Sequence, residues 1–270
     1  MDWCTKRPYE KAENFSSRIS TVRQLAIYMD NIGVDSYIIA KGYFKSGEKH
    51  VPYIYRTNEL KNFFQETDKC HRNYQCPYRH LIMPIFFRLL YSCGLRASEA
   101  RLLKVQDVDL TANILSIHQS KKDNSRLVPM TSEMGAKCQK YYHQVHQHSS
   151  GKRYFFPFVD DRPMTLGNVY KNFRKFLWRA RISHGGRGFG PRVHDLRHTF
   201  AVHCLKKWVT EGKDLLAYLP ILRTYLGHDS FEETAYYLRL TADVFPTITL
   251  KLEAAYPHLI PVLEGEDSEF

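Results

Sequence analysis

Residues 192–201 read RVHDLRHTFA and residues 226–240 read LGHDSFEETAYYLRL, joined by a stretch of helical pattern. This region places His194 three residues before Arg197, His228 directly after Gly227, and Tyr237 nine residues beyond His228. An arginine fork makes paired hydrogen bonds to phosphate oxygens and stays charged at any working pH. A tyrosine hydroxyl is a poor nucleophile near its reference pKa of about 10 unless cations or a base assist it. Together these residue types point to chemistry on a phosphodiester. Ser230 followed by Glu233 is the pattern of a capping box, so a helix is expected to begin near Phe231. On that helix Thr234 and Tyr237 share a face, and Tyr236 points about 100° away.

Working outward, residues 165–181 form an amphipathic helix with Val169, Phe173, Phe176, Leu177 and Ala180 inward and Lys171, Arg174, Lys175, Arg179 and Arg181 outward. Its charged face carries no acid, so it either meets solvent or follows a polyanion. The run HGGRGFG at 184–190 lacks the Gly-Lys-Ser/Thr ending of a nucleotide loop and reads as a basic connection. Ile114, Leu115 and Ile117, then Leu127 and Val128, flank the polar SKKDNS and predict a β-hairpin with a basic tip. Thr131 and Ser132 open a helix whose inward positions are Met134, Cys138, Tyr142 and Val145. Upstream, Leu81–Ser92 reads as a buried helix, and GLRASEARLL at 94–103 leads into another. Thr57 caps a helix bearing Leu60, Phe63 and Phe64, while Ile19, Val22, Leu25, Ala26 and Met29 mark a helix over 16–32 closed by Gly33. Cys70, His71, Cys76 and His80 match no standard zinc spacing, and the expectation is no metal. His80, His118, His184, His198 and His203 read as structural or surface residues.

The fold class that follows is mostly α with a small antiparallel β element. A chain of 270 residues suits one large domain or a small one plus a larger one. Against 28 acidic residues stand 39 Lys and Arg, a net charge of +11 that favours a polyanionic partner. No apolar run reaches the roughly 18 residues of a membrane span, so no membrane partner is expected. No signal peptide is visible, and six scattered cysteines suit reduced thiols in a cytoplasm.

In their order, GLRASEARLL, the Lys-tipped hairpin, HDLRHTFA and LGHDSFEETAYY closely resemble the catalytic domain of the tyrosine recombinase (phage-type integrase) family, over roughly residues 52–245. The resemblance implies the DNA breaking-rejoining fold and a site built from Arg96, Lys121, His194, Arg197, His228 and the nucleophile Tyr237, with Glu99 as the supporting acid. Lys121 is fixed by counting back from Arg126-Leu127-Val128-Pro129, and Lys122 is its neighbour and competitor; Tyr236 competes with Tyr237. The implied reaction cleaves and rejoins DNA through a 3′-phosphotyrosyl intermediate with no cofactor. The implied partners are double-stranded DNA, a homo-tetramer on synapsed sites and accessory DNA-bending proteins. The implied setting is the nucleoid of a bacterium, a phage or another mobile element.

The expected organisation is a partial N-terminal helical segment at 1–45, a linker at 46–55, the catalytic domain at 56–245 and a tail at 246–270 that docks on a neighbouring subunit or on its own domain. Two other functions fit the same residues. One is a type IB topoisomerase-like nicking-closing enzyme. The other is a truncated DNA-binding remnant.

Overall fold

The computed structural model describes residues 4–43, 51–74, 76–118, 125–147, 153–185, 190–228 and 230–245. The chain divides into two compact units, Met1–Val51 and Pro52–Phe270. In the first, helix α1 (Ala12–Asn31) starts four residues before the expected point, on Lys11, which offers no side-chain cap. Phe15, Ile19 and Ile39 form its small core, and Arg23 Nε donates to the Ile39 carbonyl at 2.8 Å to hold the returning chain. Leu25, expected to face inward, is 57% exposed, outside the small cluster that Phe15, Ile19 and Ile39 form among the described residues.

In the second unit, Tyr55 lies in the core at 1% exposure, its N–H bonded to Thr199 Oγ1 at 3.1 Å, so the stretch expected to be linker is packed structure from Pro52 onward. Residues 46–50 of that expected linker lie outside the described residues. Helix α2 (Thr57–Asp68) packs Leu60 and Phe63 against α3 (Arg79–Ser92). Helix α3 buries residues all round, Ile82, Met83, Ile85, Phe86, Phe87, Leu89 and Leu90, as its greasy sequence predicts. Pro84 inside it is tolerated, and the Pro84 carbonyl also accepts a bond from Arg88, which is paired to Asp68.

A short helix, α4 (Ala97–Leu102), leads to a three-stranded antiparallel sheet in the order β1 (Val108–Asp109), β2 (Ile114–Ile117), β3 (Arg126–Pro129). The β2–β3 hairpin is as expected; β1, only two residues long, left no alternation to read. In β3 the period of two turns Arg126 and Val128 inward and leaves Leu127 exposed.

Helix α5 (Ser132–Val145) starts on Thr131 and α6 (Leu166–Arg179) on Thr165, each Thr hydroxyl accepting an N–H of the first turn. In α5 it is Tyr141 that is buried, donating to the Phe155 carbonyl at 2.7 Å, and Tyr142, expected inward, is half-buried. In α6, Val169, Phe173, Phe176 and Leu177 are buried as predicted, and Phe173 and Phe176 pack with Phe63 and Phe87 in one aromatic cluster. Burying one such ring is worth about 2–3 kcal/mol. Three further helices, α7 (Asp195–Thr210), α8 (Leu215–Leu226) and α9 (Phe231–Val244), share a second core around Leu205, Leu219, Leu222 and Leu238.

Candidate active site

Two glycines let the site form. Gly94 sits at φ +58°, and a Cβ there would lie 2.7 Å from Phe200 and 2.9 Å from Leu226. Gly227 ends α8 in the left-handed region at φ +66°, and the next residue, His228, returns its N–H to the Arg223 carbonyl. These close approaches bring the start of α4, the start of α7 and the end of α8 to one place.

Arg197, on the first turn of α7, is 1% exposed and spans two chain reversals, donating to the Gly94 carbonyl at 2.9 Å and the Leu226 carbonyl at 2.7 Å. Its Nε is buried without a hydrogen-bond partner. Burial and the nearby charge of Arg96 pull its pKa down to about 10, still cationic at neutral pH. Arg96 precedes α4 and donates to Glu99 Oε1 at 2.9 Å and to the Gly227 carbonyl at 3.0 Å. Glu99 also receives both terminal nitrogens of Arg126, at 3.0 and 2.9 Å, so it bridges two arginines. Burial works to raise the Glu99 pKa, but the Arg126 contacts and the Arg96 N–H outweigh it, and the carboxylate stays ionised.

The histidines and the tyrosine close the group. His228 Nδ1 is 2.9 Å from Thr234 Oγ1, and its ring stacks on Tyr237 with centroids 5.7 Å apart and an interplanar angle of 11°. Desolvation, then Arg197 and Arg96, hold the His228 pKa down at about 3. His194 is exposed, yet desolvation by its neighbours and the same two arginines depress it to about 4. Tyr237 is 3% exposed, and its hydroxyl is 2.9 Å from His198 Nδ1. Burial raises the pKa of this phenol and the charge of Arg197 opposes the rise. Tyr236, one position back, faces outward as the helical geometry predicts.

The structure therefore brings together six of the residues singled out by sequence: Arg96, Glu99, His194, Arg197, His228 and Tyr237. Lys121 and Lys122 lie outside the described residues; the strands on either side of them in sequence pair Ile117 with Arg126. The tail at 246–270 is also outside them. Two members of the group went unassigned in sequence. Arg126, used only as a counting anchor, is an inward charge, which its period-two position beside Val128 could have revealed. His198, read as structural or surface, touches the Tyr237 hydroxyl; it is one helical turn from His194 and so on the same face.

Known proteins are similar to this chain in sequence and in fold. The profile described as the phage integrase family matches residues 55–243. A putative integrase/recombinase, y4rB, of Sinorhizobium fredii (strain NBRC 101917 / NGR234) is 28% identical over 94% of this chain and 82% of its own length. A second from that organism, y4rE, is 35% identical over 62% of this chain and 54% of its own. Tyrosine recombinase XerC of Chlamydia caviae is 31% identical over 57% of this chain and 45% of its own. The chain thus spans about half the length of these last two relatives. Among solved structures, XerH bound to its palindromic difH substrate in a post-cleavage complex aligns with a TM-score of 0.65 at 18% identity, over 92% of this chain and 67% of that one. XerA recombinase aligns with a TM-score of 0.58 at 19% identity, over 89% and 76%.

Proposed function

This chain belongs to the phage integrase family, and on that premise we propose that it is a tyrosine-type site-specific DNA strand transferase acting through a covalent 3′-phosphotyrosyl intermediate. The observation that carries the reading is the meeting of Arg96, Arg197, His194, His228 and the Tyr237 hydroxyl around the Gly94 and Gly227 turns. Arg96 and Arg197 present fixed donors for the nonbridging oxygens of one phosphate, where charge builds up in the transition state. Glu99, bonded to Arg96 and Arg126, keeps the first fork in place. Two neutral histidines beside the cations supply further donors to the same phosphate. Tyr237 attacks phosphorus, and the hairpin lysine, Lys121, protonates the leaving 5′ oxygen. Rejoining is the reverse, driven by the energy held in the phosphotyrosyl bond.

The partner in this reading is double-stranded DNA, with the exposed cations Lys171, Arg174 and Lys175 of α6 running along its backbone. A homo-tetramer on two synapsed sites, DNA-bending accessory proteins, the 1–45 segment as part of a core-binding domain and a mobile-element setting belong to the same proposal. No helix of the described residues is long and apolar enough to cross a membrane.

The test is covalent trapping on nicked duplexes tiled across the DNA that flanks the chain's own coding sequence. Wild type and Tyr236→Phe should form an adduct stable to denaturant, and Tyr237→Phe should form none while still retarding DNA. Trapping that survives in Tyr237→Phe and vanishes in Tyr236→Phe reverses the assignment. Relaxation of supercoiled DNA lacking any such site points instead to a nicking-closing enzyme.

A further inference from the structure

The Tyr237 hydroxyl has one proton to donate and a crowded set of neighbours. Arg197 lies beside it and, as a guanidinium, can only donate, so it cannot receive that proton. His228 lies flat against the phenol ring with Nδ1 engaged by Thr234 Oγ1. His194 meets His198 edge-on, centroids 4.7 Å apart, and among the described residues no hydrogen bond joins it to the hydroxyl. Besides Arg197, the hydroxyl meets His198 Nδ1, at 2.9 Å, from α7, the helix that packs against α9. A phenol that donates to Nδ1 requires the neutral ring with its proton on Nε2, and an imidazole lone pair aimed at a hydroxyl is the geometry of a general base.

We infer that His198 positions the Tyr237 hydroxyl and accepts its proton as Tyr237 attacks DNA, a role that rests on the strand-transfer reading above. The phenolic oxygen forms the new bond to phosphorus while the bond from phosphorus to the 5′ oxygen breaks. The phenol proton passes to His198 Nδ1, and the departing 5′ oxygen takes a proton from the hairpin lysine. In rejoining, the 5′ hydroxyl attacks, its proton returns to the lysine, and His198 gives its proton back to the tyrosine. Among the described residues, the groups facing His198 include His194 and Arg197 of its own helix, Tyr237 of α9, and, stacked behind Tyr237, His228 of the α8–α9 turn. His194 and His228, both beside the arginines, have their pKa values held down, to about 4 and about 3.

The experiment is single-turnover adduct formation between pH 5 and 8, on whichever tiled nicked duplex the wild-type chain attaches to most. His198→Asn keeps an acceptor near the hydroxyl but cannot take its proton. Its rate should fall about 100-fold or more, and the acid limb of the wild-type pH profile should disappear. Replacing the 5′ bridging oxygen of the duplex by sulfur removes the need for a leaving-group acid, so it should restore Lys121→Ala and leave His198→Asn slow. Nitrogen-15 shifts of the imidazoles in the DNA-free wild type should show His198 as the Nε2–H tautomer, perturbed by Tyr237→Phe. An Nδ1–H tautomer, or a His198→Asn rate and pH profile equal to wild type, overturns the inference alone. No adduct from the wild type on any duplex overturns the strand-transfer reading and this inference with it.

Discussion

The cations at the α4, α7 and α8 junction and those on the outer face of α6 are the same residue types put to opposite use. Arg197 and Arg126 are buried, their hydrogen bonds going to carbonyl oxygens and to Glu99. Lys171, Arg174 and Lys175 are exposed, next to Tyr170 and a Trp178 that is 79% exposed. A buried, forked cation is fixed in position before any ligand arrives, and its desolvation makes every nearby charge matter more. A solvated cation on a long side chain contributes attraction that salt screens. The first region should govern geometry and rate, the second affinity.

The largest effect is expected from Arg197→Lys, which retains the charge of the first region but loses the fork. A single ammonium cannot replace both bonds to Gly94 and Leu226. Leaving one buried carbonyl unpaired should cost about 1–3 kcal/mol, read as a lower Tm, and adduct formation should fall about 1000-fold. Wild-type stability and rate in this variant would show that charge alone suffices. Next in size is Lys171→Ala with Arg174→Ala and Lys175→Ala. Stability should stay within about 0.5 kcal/mol of wild type, while the slope of log affinity against log salt should drop by about 0.9 for each phosphate that is no longer neutralised. An unchanged slope would detach α6 from DNA.

The smallest expected effect is the pH dependence of stability in the absence of DNA. His194 and His228 have folded pKa values near 4 and 3, below the ordinary histidine value of 6.5. Their stabilising contribution is therefore complete above pH 6.5 and is lost as pH falls toward 4 and 3. Asp195 runs the other way. It is buried, accepts the Arg192 N–H at 2.7 Å, and has its pKa raised to about 6 by desolvation. Its contribution is complete below the ordinary aspartate value of 3.8 and is lost as pH rises through 6. Asp195→Asn should steepen the decline of Tm between about pH 7 and 4, and His228→Asn should flatten it. Equal profiles in all three proteins would mean that the site's electrostatics do not reach global stability.

What could be read from sequence divides along the range of the forces involved. The caps at Thr131 and Ser230 and the apolar stripe of α6 are local, set within one or two turns, and they stand where expected, whereas Thr57, expected as a cap, is the first helical residue of α2 and Arg56 holds the cap position. The motif spacings placed Arg96, His194, Arg197, His228 and Tyr237 in one group. The partners that hold those residues were hidden: the Gly94 and Leu226 carbonyls carry no side-chain signature, and Arg126 meets Glu99 only after β3 has paired with β2. His198 was passed over because a histidine's use depends on what a distant helix sets against it, here α9. In the first unit, periodicity over-predicted burial: among the described residues Phe15, Ile19 and Ile39 form its core, and Leu25 on the same stripe is exposed.

The bond from Arg96 to the Gly227 carbonyl joins residues 131 apart in the chain. On a ribosome the first arginine is therefore made long before the carbonyl that seats it, and Arg197 likewise waits for Leu226. A nascent chain cannot assemble the phosphate clamp proposed above until the end of α8 has emerged and closed that long loop. The tyrosine follows within the next helix, so clamp and nucleophile are completed almost together. On the strand-transfer reading, the order of synthesis would keep a DNA-breaking site from existing in half-made protein.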